Sequence, residues 1–420
     1  MPAILRTHAT KRMAPWTSSL NSRPQFLTKA WPRYALLFLL TTICIFIFWT
    51  FAVDRSYVSR FPQFPLSGVS DHVCNNVPPT SAATTRPEEI PNIVHYVWLL
   101  KDPAVFQLSF KIFISVYSAH VFFKPDRIYI HTDAAPDVVD RAVSSGDDVW
   151  TRRTLAISNV IPNHVEAPWM TKNGVVIKNM EHRADFLRIS AVKEFGGVYM
   201  DMDAIPLRDI SPLRTSGFSN VIGGATVLSI RHAGFVNNGV MMARPHSTLM
   251  EVYAEAADLV FDGQWATASV HLLTDLANRL VAVPGEVLVL EGRAFAPTSW
   301  EYEDQRRLFL PSLKTPVAKE LVDAENSAGL RDWKSKTTCR NAMGWLKERE
   351  VEGNMETWEM DFSSTYILHA FDNDVHKIRG WDKVVDVKYV LARQSNYARA
   401  VYPAIWHAIR EGIIPQEETR

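Results

Sequence analysis

The stretch KNMEHRADFLRISAVKEFGGVYMDMDAIPL, residues 178–207, predicts a helix that ends at Gly196–Gly197 and leads directly into a buried strand. Apolar residues recur at three- or four-residue intervals and predict one buried helix face: Ala184, Leu187, Ala191 and Phe195. Glycine tolerates the left-handed conformation that ends helices. The strand VYMD closes on two carboxylates, Asp201 and Asp203. Because an unpaired buried charge costs several kcal/mol, these side chains must reach water or hold a cation.

The two aspartates predict half of a metal site. On an extended backbone, residues i and i+2 point the same way, so both carboxylates can converge on one ligand. Ligands of open α/β sheets bind outside the carboxyl ends of the strands, and Mg²⁺ or Mn²⁺ is typically held by carboxylates together with substrate phosphates. A lone Asp-x-Asp triplet is weak support, and the chain has a second one at Asp372–Asp374. That copy lies in a polar stretch and is interpreted as a turn.

The helix before the strand adds a second charged pair. Asp185 and Arg188 are three residues apart, so they share one helix face, which is directed towards the same crevice as the aspartates. The alternative is a local ion pair, which contributes little to stability if it is exposed.

Elements upstream and downstream of this stretch predict the fold class. IPNIVHYVW (residues 90–98) and RIYIHTD (127–133) are predicted strands separated by a helical segment, which is the rhythm of a βαβ unit with parallel strands. Further strands are predicted within 220–230, 239–245 and 286–291, and helices within 248–261 and 268–280. We therefore predict an α/β, Rossmann-like domain with a mostly parallel central sheet.

The first ninety residues predict a membrane anchor and a stem. Residues 1–33 contain six Lys and Arg and no acidic residue, and residues 34–53 contain no charged residue. Twenty apolar residues in a helix span about 30 Å, the thickness of a bilayer's hydrocarbon core. The basic side is expected to stay cytoplasmic, which makes 34–53 a signal anchor. A buried core helix is the alternative. Residues 54–90 are rich in Pro, Ser and Thr and predict a flexible stem.

The chain of 420 residues then divides into a cytoplasmic tail (1–33), the anchor, the stem, a lumenal catalytic domain (91–410) and a C-terminal tail (411–420). The formal charge is zero, which argues against nucleic acid as a partner. An oxidising lumen permits a disulfide between Cys74 and Cys339, although two free thiols are an equal alternative.

The pattern of Asp, two residues, Arg, then Gly-Gly, an aromatic residue and Asp-x-Asp resembles the signature of glycosyltransferase family 32. This family of DxD-motif sugar transferases includes fungal outer-chain and sphingolipid mannosyltransferases, with α-1,4-galactosyltransferase as a related enzyme. IPNIVHYVW is similar to the family's first strand, and FVNNGVMMARPHS (235–247) is similar to a later one. The resemblance covers about residues 90–246 and is looser at YILHAF (366–371).

The resemblance implies a fold of the GT-A type with a nucleotide-sugar site. Trp98 would stack on the nucleotide base, and Asp185 and Arg188 would contact the ribose and the donor sugar. Tyr199 would line that pocket, and Asp201 would touch the sugar or the ribose. Trp98 and Tyr199 could instead be packing residues of the core.

The resemblance also implies a metal site in which Asp203 binds the ion directly, beside Asp201. His369, on a predicted late strand, would close over the diphosphate or the metal, and a hydrogen-bonded core histidine is the alternative. Asn238 would lie near the donor sugar and the acceptor, and the alternative is a turn before Gly239.

The predicted function is therefore a metal-dependent, retaining glycosyltransferase. It would move a hexose (mannose, galactose or glucose) from a nucleotide-diphosphate sugar to a glycan or glycolipid, with Mn²⁺ or Mg²⁺ as cofactor. The predicted catalytic residues are Asp185, Arg188, Asp201, Asp203 and Asn238. The Golgi membrane is the predicted location, in preference to the endoplasmic reticulum. Alternatives are an inactive transferase-like subunit or chaperone of a Golgi glycosylation complex, and a metal-dependent phosphodiesterase or sugar-nucleotide hydrolase. The sequence leaves open the sugar and the choice between UDP and GDP.

Overall fold

The computed structural model describes residues 34–47, 89–144, 148–225, 234–312, 358–360, 362, 364–372 and 377–419. It divides the chain into two units, 1–64 and 65–420. In the first unit, residues 34–47 are helical. Among the described residues, no helix has both the length and the apolarity needed to cross a membrane. The basic tail, residues 48–53 of the predicted anchor, nearly all of the stem, Cys74 and Cys339 lie outside the described residues. The anchor and the domain boundaries therefore stay predictions.

The second unit contains a seven-stranded sheet and a separate two-stranded sheet. The described strands are β1 (Ile93–Val97), β2 (Arg127–Thr132), β3 (Val160–His164), β4 (Gly197–Met200), β5 (Ala204–Pro206), β6 (Asn220–Gly224), β7 (Val236–Ala243), β8 (Val287–Leu290) and β9 (Ile367–His369). The large sheet has the order β3-β2-β1-β4-β7-β6-β8. Among the described strands of the large sheet, only β7 runs antiparallel to its neighbours, so the prediction of a mostly parallel α/β sheet is confirmed.

Helices alternate with these strands and cover the sheet. They are α1 (Phe110–Ser118), α2 (Pro136–Ser144), α3 (Val149–Leu155), α4 (Met180–Phe195), α5 (Ser211–Arg214), α6 (Thr248–Val260), α7 (Leu272–Leu280), α8 (Tyr302–Phe309), α9 (Val387–Ala392) and α10 (Asn396–Arg410). Single π-helical turns follow α1 at Ala119–Phe123 and precede α7 at Thr267–His271. The core cluster joins strands β1, β2 and β4 to α1 and α10.

The helix stop before β4 is confirmed at Gly196, whose N–H donates to the carbonyl of Val192 at 2.9 Å. Both glycines have positive φ, 63° at Gly196 and 96° at Gly197. A Cβ at Gly197 would lie 2.4 Å from the carbonyl oxygen of Ile93. The chain can therefore pass this tightly from α4 into the sheet only because side chains are absent here.

The predicted buried face of α4 is partly wrong. Ala191 is buried, but Phe195 is 42% exposed, and Ala184 and Leu187 are only half-buried. The helix instead turns Arg188 inwards, together with Ile189. The helix buries the face that carries Asp185 and Arg188, because these two side chains have their partners at the end of β4 and on β7.

The small sheet pairs β5 with β9 in antiparallel register, with Ala204 opposite His369. This pairing brings a residue from far downstream in the sequence next to the carboxylates that follow β4. The predicted late strand at His369 is thus confirmed, although it belongs to the two-stranded sheet.

Candidate active site

The carboxylates of Asp201 and Asp203 lie just beyond the carboxyl end of β4. The backbone N–H of Asp201 donates to the carbonyl of Gly239 at 2.8 Å, which ties the strand end to β7. A backbone N–H from Asp372 donates to Asp203 Oδ2 at 2.7 Å. Both side chains keep about a quarter of their surface exposed, 26% and 27%. They are therefore held in place and still open to a ligand.

His369 completes a cluster with the two aspartates. Its Nε2 lies 3.3 Å from Asp203 Oδ1 and 3.6 Å from Asp201 Oδ2. One ligand atom from each of the three residues lies within 4.8 Å of the others. Among the described residues, His369 Nδ1 has no hydrogen-bond partner although it is buried. Two carboxylates and one imidazole form a donor set that fits a divalent cation.

Electrostatics hold this cluster in its charged form. Burial would raise the pKa of Asp203, but attraction to His369 and hydrogen bonds from His369 and Asp372 outweigh it and lower the pKa. Burial likewise opposes protonation of His369, and the neighbouring Asp203 and Asp201 outweigh it and raise its pKa. The two carboxylates thus favour positive charge at this point, which either a proton on His369 or a bound cation can supply.

The cluster requires a glycine at position 239, because the side chains of the cluster leave no room for a Cβ at that point of β7. A Cβ there would lie 2.4 Å from His369 Cε1 and 2.6 Å from Asp201 Oδ2. Asn237 and Asn238 lie within β7 and are both largely buried, so the alternative that they serve a turn is wrong.

Arg188 connects Asp201 of this cluster to Asp185 on α4. Its Nη1 lies 3.2 Å from Asp201 Oδ1, and its Nη2 lies 3.3 Å from Asp185 Oδ1. Nη1 also donates to the carbonyl of Asn238 at 3.2 Å, while Asn238 Nδ2 donates to Asp185 Oδ1 at 3.0 Å. The planar guanidinium therefore fixes α4, β4 and β7 relative to one another.

Tyr199 contacts both Arg188 and Asp201. Its ring lies 4.8 Å from the guanidinium carbon of Arg188, and its hydroxyl donates to Asp201 Oδ1 at 2.6 Å. Burial raises the pKa of Tyr199 well above its usual value, so the phenol stays a donor. Burial also raises the pKa of Asp185, against the attraction of Arg188. Tyr199 is 1% exposed, so in this structure it positions Asp201.

The structure thus brings six of the predicted residues into one site: Asp185, Arg188, Tyr199, Asp201, Asp203 and His369, with Asn238 beside them. Trp98 follows β1, is half-buried and packs against the core. Its contact with a nucleotide base, like the other ligand contacts, stays a prediction.

Sequence reasoning missed the part played by the second Asp-x-Asp triplet. Asp372 holds Asp203 through its backbone N–H, and its side chain forms an ion pair with Lys111 on α1. The sequence signal for this role was that Asp372 lies three residues after the predicted metal ligand His369. Asp374 lies outside the described residues.

Comparisons with known proteins agree with this site. Residues 122–223 match the family model described as a glycosyltransferase sugar-binding region containing a DXD motif. Glucan organizing enzyme 1 from Cryptococcus neoformans var. grubii is 24% identical over 226 residues, which are 52% of this chain and 57% of that protein. The match therefore spans little more than half of the relative's length.

Solved structures of two glycosyltransferases also align with the chain. PaToxG glycosyltransferase is 15% identical with a TM-score of 0.33, covering 56% of this chain and 80% of that one. The apo form of GlyE from Streptococcus pneumoniae TIGR4 is 10% identical with a TM-score of 0.36, covering 77% and 64%. These TM-scores are too low to support an inference about this chain.

The match over residues 122–223 contains both Asp185–Arg188 and Asp201–Asp203. The resemblance stated from the sequence is therefore confirmed for this region, which is similar to the sugar-binding region of glycosyltransferases with a DXD motif.

Proposed function

We propose that this domain transfers a hexose from a nucleotide-diphosphate sugar to a hydroxyl group of a glycan or glycolipid, with retention at the anomeric carbon. The observation that supports it best is the convergence of Asp201, Asp203 and His369 next to the Arg188-linked Asp185. A site for a divalent cation thus lies beside a site with carboxylate and amide groups that suit sugar hydroxyls.

The proposed cofactor is Mn²⁺ or Mg²⁺, held by Asp201, Asp203 and His369. When bound, the ion would neutralise charge on the diphosphate leaving group. The side chains of the protein orient the reactants: Asp185 and Asn238 face the donor sugar, and Arg188 keeps both carboxylates in register. On the β9 side, the ring of Phe371 stacks on the imidazole of His369, with 3.9 Å between the ring centroids, and covers one face of it.

In the proposed step, the bond between the anomeric carbon and the β-phosphate oxygen breaks, and its electron pair stays with the nucleoside diphosphate. The oxygen of the acceptor hydroxyl forms the new bond on the same face of the sugar. Its proton passes to the departing phosphate oxygen, so no covalent intermediate with the protein is required. A glycosidase would instead need two carboxyl groups across the scissile bond.

The proposal includes an acceptor and a cellular location. The name of the Cryptococcus relative mentions a glucan, so a glucose-containing polysaccharide belongs among the acceptors to test. A Golgi membrane protein of the single-pass type II topology remains our proposal for the location, on the strength of the apolar segment 34–53 and the basic residues before it.

Calorimetric titration tests the donor site. The purified protein is titrated with UDP and with GDP, each with and without Mn²⁺, beside Asp203→Ala. We expect one nucleotide to bind only when Mn²⁺ is present, and Asp203→Ala to abolish that binding. Asp137→Asn is the control, since Asp137 lies on the surface in an ion pair with Arg141. A folded protein that binds neither nucleotide would contradict a transferase and favour an inactive subunit.

A further inference from the structure

One face of α1 contacts both segments of the small sheet that carry the cation cluster. Lys111 and Ser115 are four residues apart on this helix, so their side chains share a face. The hydroxyl of Ser115 donates to the carbonyl of Ala204, the first residue of β5, at 2.6 Å. The ammonium group of Lys111 forms an ion pair with Asp372, which lies just after β9. The helix is therefore connected to the chain on either side of the proposed cation.

The backbone that carries Lys111 is firmly packed. Its neighbours Phe110, Ile112 and Phe113 are all buried, whereas the side chain of Lys111 keeps 30% of its surface exposed. A positive charge in the first turn of a helix is disfavoured by the helix dipole. The carboxylate of Asp372 compensates for this position, so the ion pair accounts for a lysine at this point of α1.

The turn after β9 gives two hydrogen bonds to Asp203. The backbone N–H of Ala370 donates to the Asp203 carbonyl at 3.0 Å, and that of Asp372 donates to Oδ2 at 2.7 Å. The other carboxylate oxygen, Oδ1, faces His369 Nε2 at 3.3 Å. The turn thus determines which oxygen of Asp203 is directed into the cation cluster.

This turn has an unfavourable backbone conformation that other contacts must maintain. Phe371 has φ of 49°, in the left-handed region that bulky side chains rarely adopt. Such conformations persist where the surrounding structure fixes them, and they are common at functional sites. The Phe371 ring packs on His369 and, edge-on at 5.9 Å, on Trp300. The ion pair between Lys111 and Asp372 holds the residue that follows.

We propose that Lys111 is a positioning residue for the cation site. Through Asp372 it keeps the turn against Asp203 and so directs Asp203 Oδ1 towards the ion. The proposal rests on the cation site of the proposed function and adds a residue that sets its affinity from outside the ligand set. Loss of a group that orients a metal ligand typically weakens metal binding by about 10–100-fold. A lysine that instead contacted the diphosphate would affect nucleotide binding alone.

Mn²⁺ binding in the absence of nucleotide tests the proposal. The purified protein is titrated with Mn²⁺, and the free ion is followed by electron paramagnetic resonance. We expect Lys111→Met, which removes the charge and keeps the length of the side chain, to weaken Mn²⁺ binding about tenfold or more. Lys111→Arg should restore affinity close to that of the wild type, because it keeps the ion pair.

Asp372→Asn gives an independent measurement, since it keeps the backbone N–H and removes the charge. It should weaken Mn²⁺ binding as much as Lys111→Met, and the double variant should bind no more weakly than either single one, because both changes break the same ion pair. Lys193→Met is the matched control. Lys193 is 33% exposed and pairs with Glu251 at 3.1 Å, so the variant loses a similar ion pair and should keep its Mn²⁺ affinity. Circular dichroism confirms that each variant is folded.

The outcomes separate this proposal from the transferase function. If Lys111→Met and Asp372→Asn bind Mn²⁺ as tightly as the wild type, the positioning role is refuted and the cation site stands. If Lys111→Met weakens only the binding of nucleotide measured with Mn²⁺, Lys111 contacts the diphosphate and the proposal is overturned. A wild type that binds no Mn²⁺ would refute the cation site and this proposal together. Weakened Mn²⁺ binding in the variants, in a protein that binds neither UDP nor GDP, would support Lys111 and contradict the transferase.

Discussion

Lowering the pH from about 7.5 to about 5 should remove about 4 kcal/mol of unfolding free energy through two buried histidines, His95 on β1 and His131 on β2. A single chain of hydrogen bonds fixes their protonation. Asn163 Nδ2 donates to His131 Nδ1 at 2.9 Å, so the proton of His131 is on Nε2. That group donates to His95 Nδ1 at 3.0 Å, and His95 Nε2 donates to the carbonyl of Gly196 at 2.8 Å.

Both rings are therefore neutral, and a proton added to His95 would set two N–H groups against each other. Burial, together with His131, lowers the pKa of His95 to about 3, and burial lowers the pKa of His131 to about 4. In the unfolded chain both titrate near 6.5. Between these values the unfolded state binds more protons, so stability is present above about pH 6.5 and is lost as the pH falls. At pH 5 each ring contributes a loss of about 2 kcal/mol.

Urea unfolding at the two pH values, compared with His131→Gln, measures this loss. Glutamine keeps one donor and one acceptor but does not titrate, so the variant should lose about 2 kcal/mol less than the wild type. The comparison also removes the opposite contribution of His369, whose raised pKa adds stability as the pH falls. His164→Gln, at an exposed histidine at the end of β3, is the control. An equal loss in wild type and His131→Gln would refute the hydrogen-bond assignment.

Two further predictions concern the site. Arg188→Lys replaces the planar guanidinium by a single ammonium group, which cannot contact Asp185 and Asp201 at once. We expect the unfolding free energy, measured by urea unfolding, to fall by about 2–4 kcal/mol. Nucleotide binding, measured by calorimetry, should weaken at least tenfold. Unchanged values would show that the two carboxylates do not depend on the guanidinium. Gly239→Ala places a methyl group against His369 and Asp201. Mn²⁺ binding, measured by electron paramagnetic resonance, should therefore be lost. A variant that binds Mn²⁺ with wild-type affinity would exclude this cluster as the metal site.

The strands of the large sheet, apart from β3, could be predicted because their signals are local. β1 and β4 are short apolar runs, and a glycine pair separates α4 from β4. The two-stranded sheet was harder, since β5 and β9 have three residues each and pair across a long sequence separation. A three-residue strand is too short to show a period, and only the family resemblance pointed to His369.

The residues that form the site could be predicted, but the contacts between them could not. Periodicity assigned Ala184, Leu187 and Phe195 of α4 to the core, because it treats Asp185 and Arg188 as surface residues. The burial of this charged pair depends on partners from β4 and β7, which local sequence does not reveal. The ring contact between His182 and Trp265 was missed for the same reason, since the two residues meet only in the folded chain.

Arg188 has a consequence for how this domain can diversify. One guanidinium contacts both Asp185 and Asp201, so a mutation at Asp185 also alters the charge balance at Asp201. In the proposed site, where Asp185 faces the donor sugar and Asp201 the cation, donor preference and cation affinity therefore change together. Variants with a new sugar and an unchanged metal requirement should arise through residues outside the pair, and attempts to redesign specificity should begin there.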